Sequence, residues 1–137
     1  MSAATMPDPT QRDRYVDADA PPEERTYAMF THLAGMIGVI TAPIPLAGPL
    51  AALVMWRIKA HQSPFLDDHG RDAMNFQLSL LLYAVILGVL TVGTLGIASP
   101  LYFLTIILCL VGCIRGAIAA NAGAYYRYPM TIRFLKP

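Results

Sequence analysis

Two long stretches of this sequence carry no charge. No Asp, Glu, Lys or Arg occurs from Thr26 to Trp56, a run of 31 residues, or from Ala73 to Ile114, a run of 42. A helix that crosses a bilayer needs only about 20 predominantly apolar residues. A soluble domain brings its charged fraction to roughly 25%, whereas this chain is 14% charged and 55% hydrophobic. It lacks the polar groups to cover a water-facing surface. At 137 residues it has room for one domain, and the fold class that follows is an all-α integral membrane bundle.

Prolines divide the first run. Pro43, Pro45 and Pro49 fall within seven residues, and each proline in a helix interior costs on the order of 3 kcal/mol. The run therefore splits into a first helix near 26–42 and a second near 46–61. Each is roughly 25 Å long at ~1.5 Å per residue, short for a ~30 Å hydrocarbon core. Either the flanking Arg57 and Lys59 snorkel to lengthen the second helix, or the pair is a re-entrant hairpin. Ser63-Pro64 supplies an N-cap and a first helical position for a short interfacial helix that runs on into a third helix, 73–95. Gly93, Gly96 and Pro100 break the chain again, and a fourth helix occupies 100–121. Pro129 stops any helix in the aromatic and basic close. Residues 1–24, with four prolines and six acidic side chains, bury too little apolar area to offset their ordering entropy and read as a flexible tail. The four-helix domain is 25–137.

All ten basic residues lie in three segments: Arg12, Arg14 and Arg25; Arg57, Lys59 and Arg71; and Arg115, Arg127, Arg133 and Lys136. The turns between helices 1 and 2 and between 3 and 4 have none. Four passes with both termini on one side place every positive charge on that side, and the positive-inside rule makes it cytoplasmic. Three passes would strand one basic cluster outside. Trp56, Tyr125, Tyr126 and Tyr128 fall where an interfacial aromatic belt belongs.

Polar residues inside the helices gather toward one leaflet. His32, Asn75, Gln77 and Arg115 are placed at similar depth, and an intramembrane arginine usually faces the bundle or a wet cavity. They form a candidate polar cluster, serving either as interhelical hydrogen bonding or as a proton or substrate site; snorkelling is the third role open to Arg115. Asp67, Asp68 and Asp72, with His61 and His69, crowd the segment before helix 3. Their spacing matches no established metal-ligand pattern, so they read as solvated loop acids pairing with Arg71 or Arg115, and no metal is assigned. Gly112, Gly116 and Ala120 recur every four residues on helix 4, a spacing that lets helices approach closely in lipid. Cys109 and Cys113 sit at i,i+4, a poor disulfide geometry, and read as small packing residues. The start of the chain is acidic and Pro-rich, unlike a secretory signal. No cofactor motif is present, and the net charge of +1 gives no reason to expect nucleic acid.

Three stretches carry a family resemblance: ERTYAMFTHLAGMIG, SPFLDDHGRDAMNFQLS and NAGAYYRYPMTIRFL. Across about 24–135 the chain resembles a group of small bacterial membrane proteins that carry a domain-of-unknown-function label. That group is in turn distantly similar to an import component of the chloroplast inner-envelope translocon (Tic). The resemblance implies four helices and an inner-membrane location, and no established activity. The expected function is thus a non-enzymatic interaction or accessory role in a membrane complex, with the lipid bilayer and other membrane proteins or a second copy as partners. The alternative is a transport or translocation component with a polar site near His32 and Arg115.

Overall fold

A computed structural model of the chain describes residues 15–41 and 46–136. The element order is α1 (Pro22–Ala34), α2 (Ile37–Ile40), α3 (Ala47–Lys59), α4 (Pro64–Gly93), a 3-10 turn (Ser99–Leu101) and α5 (Tyr102–Asn121). The described residues form no strand beyond one isolated antiparallel bridge, Val16 to Ala124.

The described residues are helical, and among them two helices, Pro64–Gly93 and Ser99–Asn121, are long and apolar enough to cross a membrane. The expectation of four spans is corrected here. α1 and α3 have 13 residues each, about 20 Å. The first helix stops at Ala34, where the Gly35 amide bonds back to the His32 carbonyl and the Met36 amide to that of Leu33, and resumes only as the single turn α2. The turn expected around Pro43 and Pro45 lies outside the described residues. Pro49 sits in the first turn of α3, where the N–H it lacks has no intrahelical acceptor in any case.

α4 is one continuous helix of 30 residues. The segment carrying Asp67, Asp68, His69 and Asp72 is its opening two turns, where a loop with a short interfacial helix was expected. Ser63 caps it, its hydroxyl accepting from the Leu66 amide at 3.2 Å and donating to Glu24 at 2.5 Å. The α1–α3 pair leans against the first half of α4 and the second half of α5, with Gly35 and Gly48 closing on Gln77. The far half of α4 and the near half of α5 continue past this pair, packed on each other through the Tyr102 hydroxyl and the Ala84 carbonyl at 3.1 Å. Their outward side chains are fully apolar: Val89 is 69% exposed, Val92 78% and Leu95 95%. A soluble fold would bury such a surface; a bilayer covers it without cost.

Residues 15–24, expected as the end of the tail, are folded; residues 1–14 lie outside the described residues. Asp17 and Tyr125 complete the bridge through Asp17 N–H to Gly123 O, 2.8 Å, and Tyr125 N–H to Tyr15 O, 2.9 Å. Arg25 then donates to the carbonyls of Ala18 and Ala20 at 2.9 and 2.8 Å, tying the segment to the start of α1. Gly123 takes φ +75°, the left-handed conformation that ends many helices, and turns the chain out of α5 into this bridge.

Candidate functional site

Five polar side chains on α4 fall at successive intervals of four, three, four and four: Asp68, Asp72, Asn75, Ser79 and Tyr83. At 100° per residue they occupy an arc of about 80°, so a polar stripe runs up one face of the helix from its charged opening turns into its apolar half. The first four are buried. What buries them is the chain after α5.

That final segment lies against the stripe as a hairpin. Arg127 meets the charged end, its Nη1 and Nη2 donating to the two Asp68 oxygens at 3.0 and 3.1 Å and Nη1 also to Asp72. The chain then climbs α4 until the Tyr83 hydroxyl donates to the Met130 carbonyl at 2.5 Å, about 16 Å beyond Asp72 along the helix. Met130 turns the backbone with φ +56°, an uncommon conformation for a residue with a side chain. On the way back the Ile132 amide donates to Ser79 Oγ at 2.9 Å. Asn75 makes a reciprocal pair with Leu135: Nδ2 donates to the Leu135 carbonyl at 2.8 Å, and Oδ1 accepts from its amide at 2.7 Å. Non-helical backbone at membrane depth must be satisfied by protein groups, and the stripe supplies them.

Beside this hairpin is an aromatic and imidazole layer. His32 of α1 is fully buried; its Nδ1 meets the Tyr128 hydroxyl and its Nε2 meets His69 Nδ1 at 2.8 Å. Tyr125 stacks on His69 at 5.8 Å between ring centroids, and Tyr128 stacks on Phe76 at 4.0 Å. Gly112 and Gly116 make room for it. A Cβ on Gly112 would lie 2.6 Å from Phe76 Cζ, and one on Gly116 2.8 Å from His32 Nδ1. Ala120, also buried, continues the same face toward Ala28 and Phe65.

Burial alone lowers the proton affinity of the Arg127 guanidinium, but the bonds to Asp68 and the charge of Asp72 outweigh it and the net shift is upward; this arginine stays charged. Burial raises the Tyr128 phenol well above its ordinary value, so it stays a neutral hydroxyl. The layer is thus a neutral His–His–Tyr network beside an Asp–Arg–Asp cluster in which two carboxylates share one guanidinium. It holds α1, α4, α5 and the C-terminal hairpin in one register.

The structure divides the polar cluster expected from sequence. His32 joins His69 and Tyr128, Asn75 holds Leu135, and Gln77 donates to Cys113 Sγ at 3.7 Å between α1 and α3. Arg115 is exposed on α5. The acids are divided too: Asp67 takes Arg71 and the Trp56 indole N–H, the latter at 2.9 Å, whereas Asp68 and Asp72 take Arg127 rather than Arg115 or Arg71. Arg127, His69, Ser79, Tyr83 and Tyr128 were missed as site residues. The polar spacing along α4 signalled Ser79 and Tyr83; nothing local to Arg127 signalled its burial.

A family model described as the magnetosome magnetite crystal formation protein family matches residues 23–135. No curated protein matches the chain and no solved structure does, so no translocon component is among its similar proteins.

Proposed function

The chain belongs to the magnetosome magnetite crystal formation protein family, and on that premise we propose that it is a non-enzymatic accessory protein of membrane-enclosed crystal formation, resident in a bacterial inner membrane with both termini cytoplasmic. The observation that carries this reading is that its buried acids, imidazoles and the Arg127 guanidinium are each bonded to another side chain of the bundle. Asp68 and Asp72 share the Arg127 guanidinium, and His32 is bonded to both His69 and Tyr128. Such groups hold a scaffold together instead of offering a nucleophile or base to a substrate. The distribution of basic residues supports the orientation. The shortness of α1 and α3 supports a two-span protein with a re-entrant hairpin. A transport role needs a wet path past His32, Asn75 and Arg115, and these three side chains serve separate surroundings.

Expression in a magnetite-forming bacterium deprived of its own members of this family tests the role, with crystal size and number as the readout. Restored crystals are expected, and unaltered defective crystals despite membrane insertion would overturn it. Orientation is tested separately with single cysteines in a chain whose Cys109 and Cys113 are alanine. Ala98→Cys should react with an impermeant thiol reagent added to intact cells, and Ser63→Cys should react only after permeabilisation.

A further inference from the structure

Arg115 is a charged residue of α5 for which the described residues supply no partner of opposite charge. It projects from α5 six residues before the helix end, about 9 Å along the axis, and it is exposed. No hydrogen bond or ion pair joins it to another described residue. The acids of this layer serve Arg127 and Arg71. Its near neighbour is Tyr126, whose hydroxyl is pushed up by burial and drawn down by the Arg115 charge.

Above Arg115, toward the uncharged end, α4 and α5 part into a groove of about 580 Å³, within the ~300–1,000 Å³ of typical ligand sites. Ile86, Leu87, Leu104, Leu108 and Val111 form its walls, and Met130 at the hairpin tip closes one side. Leu104, Leu108 and Arg115 lie within about 40° of one another on α5. The exposed guanidinium therefore stands in line with an apolar channel running up the same helix face. This is a cation over a hydrocarbon slot, inside the depth of a bilayer.

We infer that the α4–α5 groove is a binding site for an anionic phospholipid, one acyl chain lying between Leu104 and Leu108 on α5 and Ile86 on α4, with the phosphate held by Arg115. Charge complementarity selects the occupant. An apolar helix from a second copy would fill the groove but leave the arginine without a counter-charge in hydrocarbon, where a charged side chain is unfavourable. A lipid phosphate satisfies it with charge-assisted bonds. The inference rests on the membrane location alone and is independent of any part in crystal formation.

Native mass spectrometry of the full-length protein, delipidated in neutral detergent and titrated with phosphatidylglycerol or phosphatidylcholine, tests it. One phosphatidylglycerol per chain should be retained in preference to phosphatidylcholine. Arg115→Gln should weaken retention about tenfold, the scale of one charged hydrogen bond. Leu104→Trp, which fills the groove at an exposed position and keeps the cation, should weaken it comparably; Val111→Trp serves if that variant does not fold. Arg57→Gln, removing an exposed cation on another helix, should leave it unchanged. Equal retention by wild type and Arg115→Gln overturns the site, and so does an equal loss in Arg57→Gln. Thermal stabilisation by glycerol phosphate matching that by the lipid would assign the cation to free phosphate. Disulfide cross-linking of Ile107→Cys between copies in bilayers would give the groove to a second chain.

Discussion

Arg127 and Arg71 both pair with aspartates at the start of α4, yet their removal should differ severalfold. The Arg71–Asp67 pair is half open to solvent and spans one helical turn; such pairs contribute about 0.2–1 kcal/mol. Arg127 sits between two nearly buried carboxylates, and deleting one partner of a buried set leaves charge stranded, a loss of about 3–5 kcal/mol. Thermal unfolding in detergent should therefore show Arg127→Leu strongly destabilised and Arg71→Leu close to wild type. Arg127→Lys should recover only part of the loss, because an ammonium cannot grip both Asp68 oxygens in parallel. Equal shifts for the two leucine variants would remove the cluster as a stabilising feature. The glycines allow a second comparison. Gly112→Ala and Gly116→Ala each drive a methyl into Phe76 or His32 and should cost about 1–3 kcal/mol, as overpacking does, while Leu108→Ala, at a half-buried position facing the groove, should cost less. The small-residue spacing on the last helix was legible in the sequence because close packing writes itself as a period. The partner of Asp68 and Asp72 was not, because 55 residues separate Asp72 from Arg127 and no local pattern says which of several cations folds back.

The α4 stripe and the terminal hairpin form a matched pair of elements. Ser79 accepts from the Ile132 amide and Asn75 closes two bonds with Leu135, so each part-buried backbone group loses a hydrogen-bond partner if the side chain is cut back, at up to about 1–3 kcal/mol per group. Amide hydrogen exchange should report this locally. Asn75→Ala should speed exchange at Leu135, and Ser79→Ala at Ile132, while the amides of α5 keep their protection. Uniform acceleration through the whole protein would mean that the hairpin is not a separable layer. The α1–α3 pair illustrates how far sequence reasoning reaches at this scale. Three prolines announced a break and a pair of short helices, but hydropathy alone does not distinguish a short span from a half-depth hairpin. What bears on that choice is tertiary: Gly35 and Gly48 converge on Gln77, well before the end of α4. Likewise the cap at Ser63-Pro64 was visible, whereas the acidic segment's place in one uninterrupted helix goes with Arg71 and the distant Arg127 pairing with its carboxylates.

At the scale of the whole molecule, both ends of the folded chain meet. Tyr15, Val16 and Asp17 pair with Gly123, Ala124 and Tyr125, and the residues beyond complete the buried layer. Ending the chain after Tyr125 should therefore harm more than the removed length suggests. It takes away Arg127, Tyr128 and every partner of Asn75 and Ser79 named above, and protease digestion of membranes should find this truncated form cut within α1–α3 where the full chain resists. Resistance equal to the full chain would show that the helices hold their register without the closing segment. The same arrangement fixes an order of events during synthesis. α4 is made with Asp68, Asp72 and His69 on its surface, and the arginine that pairs with both acids follows 55 residues after Asp72. A nascent chain stopped before Arg127 would display bare carboxylates at the base of its longest helix, so the closing segment doubles as the mark of a finished bundle.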